Sequence, residues 1–106
     1  MKTSRLTIAV SSLLLALAAA SAQTPPAATV TENPVFQTNC AKCHGKTGEG
    51  RHFGGPSLVS EKTTSASADE LRDIITNGKH HMPKFAGKLT PEEIDSLVQQ
   101  IKASKR

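Results

Sequence analysis

The clearest hydrophobic pattern lies near the C-terminus, where Ile94, Leu97, Val98 and Ile101 fall at i, i+3, i+4 and i+7, the apolar stripe of one α-helix. Thr90-Pro91-Glu92-Glu93 precedes it and combines a capping box with proline at the first helical position, so the start of that helix is marked. A second helix is predicted where Leu71, Ile74 and Ile75 follow Ser67-Ala68-Asp69-Glu70, again with capping-box spacing, and Gly78 is placed to end it. A third opens at Asn33-Pro34, a cap followed by a first-turn proline, and runs through Phe36 toward Cys43. No segment alternates apolar and polar residues, and neither a repeat nor a βαβ pattern is visible. The fold class is therefore all-α with long loops. Residues 45–66 and 79–89 form those loops, and Gly45 to Pro56 holds five of the seven glycines. Loops this long in a small domain are usually functional or organised around something.

The first 22 residues have a different pattern. Lys2 and Arg5 precede an apolar run, Leu6 to Ala20, broken only by Thr7 and the Ser11-Ser12 pair, and Ala20-Ser21-Ala22 has the small-x-small form of a cleavage site. The run is shorter than the roughly 20 apolar residues a bilayer crossing needs. Residues 1–22 are thus expected to be an export signal cleaved after Ala22, with no stable membrane anchor. Residues 23–31, rich in proline, alanine and threonine, read as a flexible leader. Residues 32–106 remain as the working domain.

Composition sharpens the problem. The chain of 106 residues has no Trp, no Tyr and three Phe, so a domain this small builds a poor core and needs a disulfide, a metal or a cofactor to complete it. Loss of Lys2 and Arg5 with the signal lowers the formal charge from +4 to +2, and no aromatic residues interleave with the basic ones. That argues against nucleic acid as a partner.

Both cysteines lie in Cys40-Ala41-Lys42-Cys43-His44. A disulfide here would close a loop of only a few residues and add little stability. A redox dithiol normally sits at a helix N-terminus beside a strand, whereas this pair follows a helix start and no strand is predicted. Zinc would need His44, His52, His80 or His81 to complete a four-ligand site, and those histidines lack the paired spacing of common zinc modules. The C-x-x-C-H pattern is also the signature of covalent haem attachment. Cysteines three apart on a helical turn can each form a thioether to one porphyrin, with His44 projecting toward the iron. Export, the position of the histidine and the incomplete core agree on haem; zinc and a dithiol are the alternatives.

A six-coordinate haem needs a second axial ligand, commonly Met or His. Removal of Met1 leaves Met82 as the only methionine of the mature chain, in Gly78-Lys79-His80-His81-Met82-Pro83. The proline stiffens a loop long enough to fold over a flat cofactor. Met82 is the expected ligand; His80 and His81 are the alternatives and are expected at the surface.

In this combination the sequence resembles the small class I c-type cytochromes, monohaem electron carriers. The resemblance covers nearly all of residues 32–106 and rests on Cys40-Ala-Lys-Cys43-His44-Gly45, Gly55-Pro56-Ser57-Leu58, the run from Ile75 through Gly78 to Met82-Pro83 and Phe85, and the closing helix from Leu89 to Leu97. It implies a small cytochrome c fold of three or more helices around one haem c held by Cys40 and Cys43, with His44 and Met82 on the iron. It further implies that the Pro56 carbonyl accepts the ring N–H of His44, which would fix ring orientation and basicity. Phe53, Leu58, Leu71, Ile75 and Phe85 are candidates for the apolar wall. Relatives often carry an aromatic residue about three positions after the Leu97 equivalent, where this chain has Gln100. The contact between the terminal helices then falls to Phe36, Leu97 and Ile101.

His/Met ligation leaves no open iron position, so the resemblance implies a protein that moves single electrons and is not an enzyme. Residues 42–51 and 79–88 carry Lys42, Lys46, Arg51, Lys79, Lys84 and Lys88 against the single acid Glu49. Such a basic rim steers acidic redox partners to the haem edge. The expectation is a soluble periplasmic carrier, a monomer or a subunit of a redox complex. A haem subunit of a periplasmic dehydrogenase complex is the alternative, and a haem-based sensor or peroxidase a weaker one.

Overall fold

A computed structural model describes residues 29–104; the expected signal and most of the expected leader lie outside them. A 3-10 turn, Val30–Glu32, leads into α1, Pro34–Asn39, and α2, Ala41–His44. After a long loop come α3, Glu61–Thr64, then α4, Ala68–Asn77, and α5, Pro91–Lys102. The described residues form no sheet; two isolated bridges, Lys79 with Met82 and Ala86 with Leu89, are their only β-type pairings.

The helix starts follow their capping chemistry. The Asn33 side chain accepts from Val35 N–H at 2.9 Å with Pro34 in the first turn, and Ser67 accepts from Glu70 N–H at 3.1 Å. Thr90 and Glu93 complete the reciprocal box, with bonds of 3.0 and 3.1 Å. At Ser67 the same spacing gives only half a box.

The first predicted helix is broken. Cys40, at φ −117° and ψ −37°, kinks the chain between α1 and α2. His44 N–H nevertheless reaches the Cys40 carbonyl at 2.9 Å, so the turn carrying both cysteines stays helical.

Val30, Phe36, Leu97 and Val98 are the most deeply buried side chains. Val30 belongs to the expected flexible leader, yet it is 1% exposed and sits in the core. The packed unit therefore begins before residue 32. Glu32 folds back to accept from both the backbone N–H and the hydroxyl of Thr29 at 3.0 and 2.9 Å, which holds its carboxyl below the ordinary value and fixes this turn.

At the position where the resemblance places an aromatic residue, Gln100 Oε1 accepts from Asn33 Nδ2 at 2.8 Å, joining the start of α1 to α5 through a polar contact. Phe36, Leu97 and Ile101 lie in the same buried cluster. Arg72 on α4 pairs with Asp95 on α5, and Lys102 Nζ donates to the Ala66 carbonyl at 2.7 Å. These contacts set the frame against which the loops close.

Candidate functional site

The two long loops and the α1–α2 kink border an open cavity of about 760 Å³. Cys40, Cys43, His44 and Met82 all line it, with Leu71, Ile75 and Phe85 among the apolar walls. The last three are each 6–7% exposed; Leu58 also reaches the cavity and is half-buried.

No disulfide joins the cysteines; Cys40 is half-buried and Cys43 exposed. Burial, reinforced by Cys43, pushes the Cys40 thiol up to about 11. Reactive dithiols work the other way, through a depressed thiol pKa. Among the described residues, no three His, Cys, Asp or Glu side chains come together as a metal site. Neither the dithiol nor the zinc reading gains support.

His44 is 6% exposed, and its Nδ1 lies 2.8 Å from the Pro56 carbonyl. A carbonyl can only accept, so Nδ1 carries the proton and Nε2 keeps its lone pair for a ligand. The loop that delivers Pro56 is fastened to the cysteine turn: Gly55 N–H donates to the Cys43 carbonyl at 2.7 Å and Gly50 N–H to the His44 carbonyl at 2.8 Å. A Cβ on Gly55 would stand 2.6 Å from His44 Cε1 and 2.7 Å from Nδ1, so glycine there lets the backbone clamp the ring. Gly55→Ala is expected to lower the unfolding free energy by about 1–3 kcal/mol, the usual range for overpacking. Denaturant titration checks this, and a wild-type midpoint would mean that the ring is not clamped.

On the other side, α4 ends at Gly78, φ +78°, where a Cβ would meet the Met82 carbonyl oxygen at 2.6 Å. Lys79 and Met82 exchange backbone bonds of 3.2 and 2.9 Å, and Phe85 and Ala86 donate back to the carbonyls of Ile75 and Thr76, each at 3.0 Å. This stitching leaves Met82 half-buried and His80 and His81 exposed, although all three border the cavity.

Two features are not legible in the sequence. Arg51 Nη1 donates to the Lys42 carbonyl at 2.9 Å, so a residue counted only for its charge also caps α2. Thr63 Oγ1 donates to the Ser57 carbonyl at 2.7 Å, tying α3 to the Pro56 loop; hydroxyl-rich segments make such local bonds, but their partners cannot be chosen from spacing. Phe53 also borders the cavity; its side chain is exposed and its backbone has φ +63°.

A kinked helix carrying C-x-x-C-H, a backbone-held histidine and a loop-borne methionine around one apolar cavity define a small monohaem c-type cytochrome. Residues 27–101 match the family described as cytochrome c oxidase, cbb3-type, subunit III. The chain is 36% identical over 105 residues to cytochrome c-555 of Methylococcus capsulatus, covering 95% of this chain and 84% of that one. It is 34% identical over 77 residues to a cytochrome c6 of Nostoc sp., covering 63% of this chain and 62% of that protein. The solved structure of cytochrome c6 from the diatom Phaeodactylum tricornutum matches with a TM-score of 0.56 and 26% identity, over 73% of this chain and 94% of that one. The chain belongs to the c-type cytochromes, whose cofactor is covalently bound haem c, and its relatives are electron-transfer proteins. The residues present fit that group: two free thiols on one helical turn, an imidazole with Nδ1 already committed, and apolar walls.

Proposed function

We propose that this chain is a soluble periplasmic carrier of single electrons, exported by residues 1–22 and cleaved after Ala22, with Cys40 and Cys43 holding the haem and His44 and Met82 as its axial ligands. The haem supplies a one-electron ferric/ferrous couple. The observation that carries the reading is that His44, with Nδ1 bonded to Pro56, and Met82 border the same cavity. Pro56 orients the imidazole and raises its basicity. Met82, a weak neutral donor, favours the reduced state more than a second histidine would. Leu71, Ile75 and Phe85 exclude water, which acts in the same direction. With both thiols and both axial donors committed to the cofactor, no group of catalytic residues is assigned. Among the described residues, no helix is long and apolar enough to cross a membrane.

The family's description names an oxidase subunit, which favours a second reading, a haem c subunit of a redox complex. Two experiments on the haem-loaded protein separate these readings and test the closed site. Reduced protein at neutral pH is expected to bind negligible carbon monoxide; rapid binding would favour a sensor or peroxidase. Electron exchange with an acidic partner is expected to slow as salt rises, because charges are screened beyond a Debye length of roughly 10 Å at 0.1 M. A stoichiometric complex that survives high salt would favour the subunit reading.

A further inference from the structure

We propose that Phe53 is the apolar anchor of the docking surface, and that Lys42, Lys46 and Arg51 beside it select an acidic protein whose carboxylates surround an apolar recess. The inference rests on the carrier reading and places the contact on one side of the cavity mouth. Phe53 is 101% exposed, the only large apolar side chain among the described residues in that position. Its φ of +63° is costly for a bulky residue, and its ring forms a T-shaped pair with His52, with centroids 4.3 Å apart. The conformation is imposed by the turn beneath it: Gly54 N–H donates to the Arg51 carbonyl at 3.0 Å, Arg51 N–H to the Gly55 carbonyl at 3.2 Å, and Gly55 N–H to the Cys43 carbonyl at 2.7 Å.

Phe53 is thus fastened beside Cys43, the exposed one of the two cysteines. Arg51 is two residues from Phe53, Lys42 borders the same cavity as Phe53 and lines a recess with Lys46 and Arg51, and neither of the ion pairs Arg72–Asp69 and Arg72–Asp95 engages these three cations. An exposed aromatic residue among cations that no carboxylate neutralises in those ion pairs is the arrangement of a binding hot spot with a charged surround. The 79–88 segment carries Lys79, Lys84 and Lys88, but its aromatic residue, Phe85, is buried with Lys88 Nζ 5.9 Å from its ring centroid.

The test uses the haem-loaded protein on gold electrodes coated with carboxylate-terminated alkanethiols, alone or mixed with methyl-terminated ones. Wild-type protein should exchange electrons faster on the mixed layer. Phe53→Ser should lose at least about fivefold of that rate, the effect of removing a hot-spot contact, while Phe53→Leu retains it. Lys42→Gln/Lys46→Gln should weaken adsorption on both layers more than Lys84→Gln/Lys88→Gln. Wild-type exchange by Phe53→Ser, or a larger loss from the Lys84/Lys88 pair, would overturn the proposal. A changed midpoint potential in Phe53→Ser would overturn it too, by placing the ring in the haem wall. Absence of reversible exchange by the wild type on either layer would instead bring down the carrier reading on which the proposal rests.

Discussion

Cys40→Ala/Cys43→Ala, exported without haem, is expected to lose most of its helix content and its cooperative melting transition. The described core holds twelve buried apolar residues, of which only Phe36 and Phe85 are aromatic, and it is arranged around a cavity of about 760 Å³. Without the haem, the walls of that open cavity, Leu71, Ile75 and Phe85 among them, lose the group that keeps water from them, and a domain this small has little other apolar burial with which to reach the roughly 5–15 kcal/mol by which a domain is ordinarily stable. Far-UV circular dichroism with a thermal melt decides it. Native helix content with a sharp transition in the double variant would mean that the protein part folds alone.

Met82→Ala is expected to open the iron. The reduced variant should bind carbon monoxide where the wild type does not, and its potential should fall, since the thioether that favours the ferrous state is gone. His80→Ala and His81→Ala should leave both properties unchanged, because the Lys79–Met82 turn holds these two side chains at the surface. Potentiometric titration of the three variants separates the candidates. Carbon monoxide binding by reduced His80→Ala or His81→Ala, with Met82→Ala behaving as the wild type, would transfer the ligand role to that histidine.

Capping residues made α1, α4 and α5 legible in the sequence, because a side chain that accepts from a backbone N–H two or three residues on is a local device needing no tertiary context. Tertiary causes set the remainder. The break at Cys40 separates α1 from the turn that carries the site, and no residue type announces it. Val30 lies in a proline-, alanine- and threonine-rich stretch without apolar periodicity, but it is buried by packing that local pattern does not encode. Gln100 replaced an expected aromatic contact with a hydrogen bond to Asn33 whose partner lies 67 residues away. At the site, Cys40, Cys43, His44 and Met82 were visible as residue types at fixed spacings, and one cavity brings them together. The positive φ of Phe53 is not legible in the sequence, since it depends on how tightly Gly54 and Gly55 pass the Cys43 backbone and the His44 ring.

Closed coordination by His44 and Met82 is tested most directly by the near-infrared absorption of the oxidised, haem-loaded protein at neutral pH, recorded for the wild type and Met82→Ala. The expected result is a sulfur-to-iron charge-transfer band in the wild type that is abolished in the variant. Absence of the band in the wild type, or its retention in Met82→Ala, would contradict the assignment of Met82 to the iron.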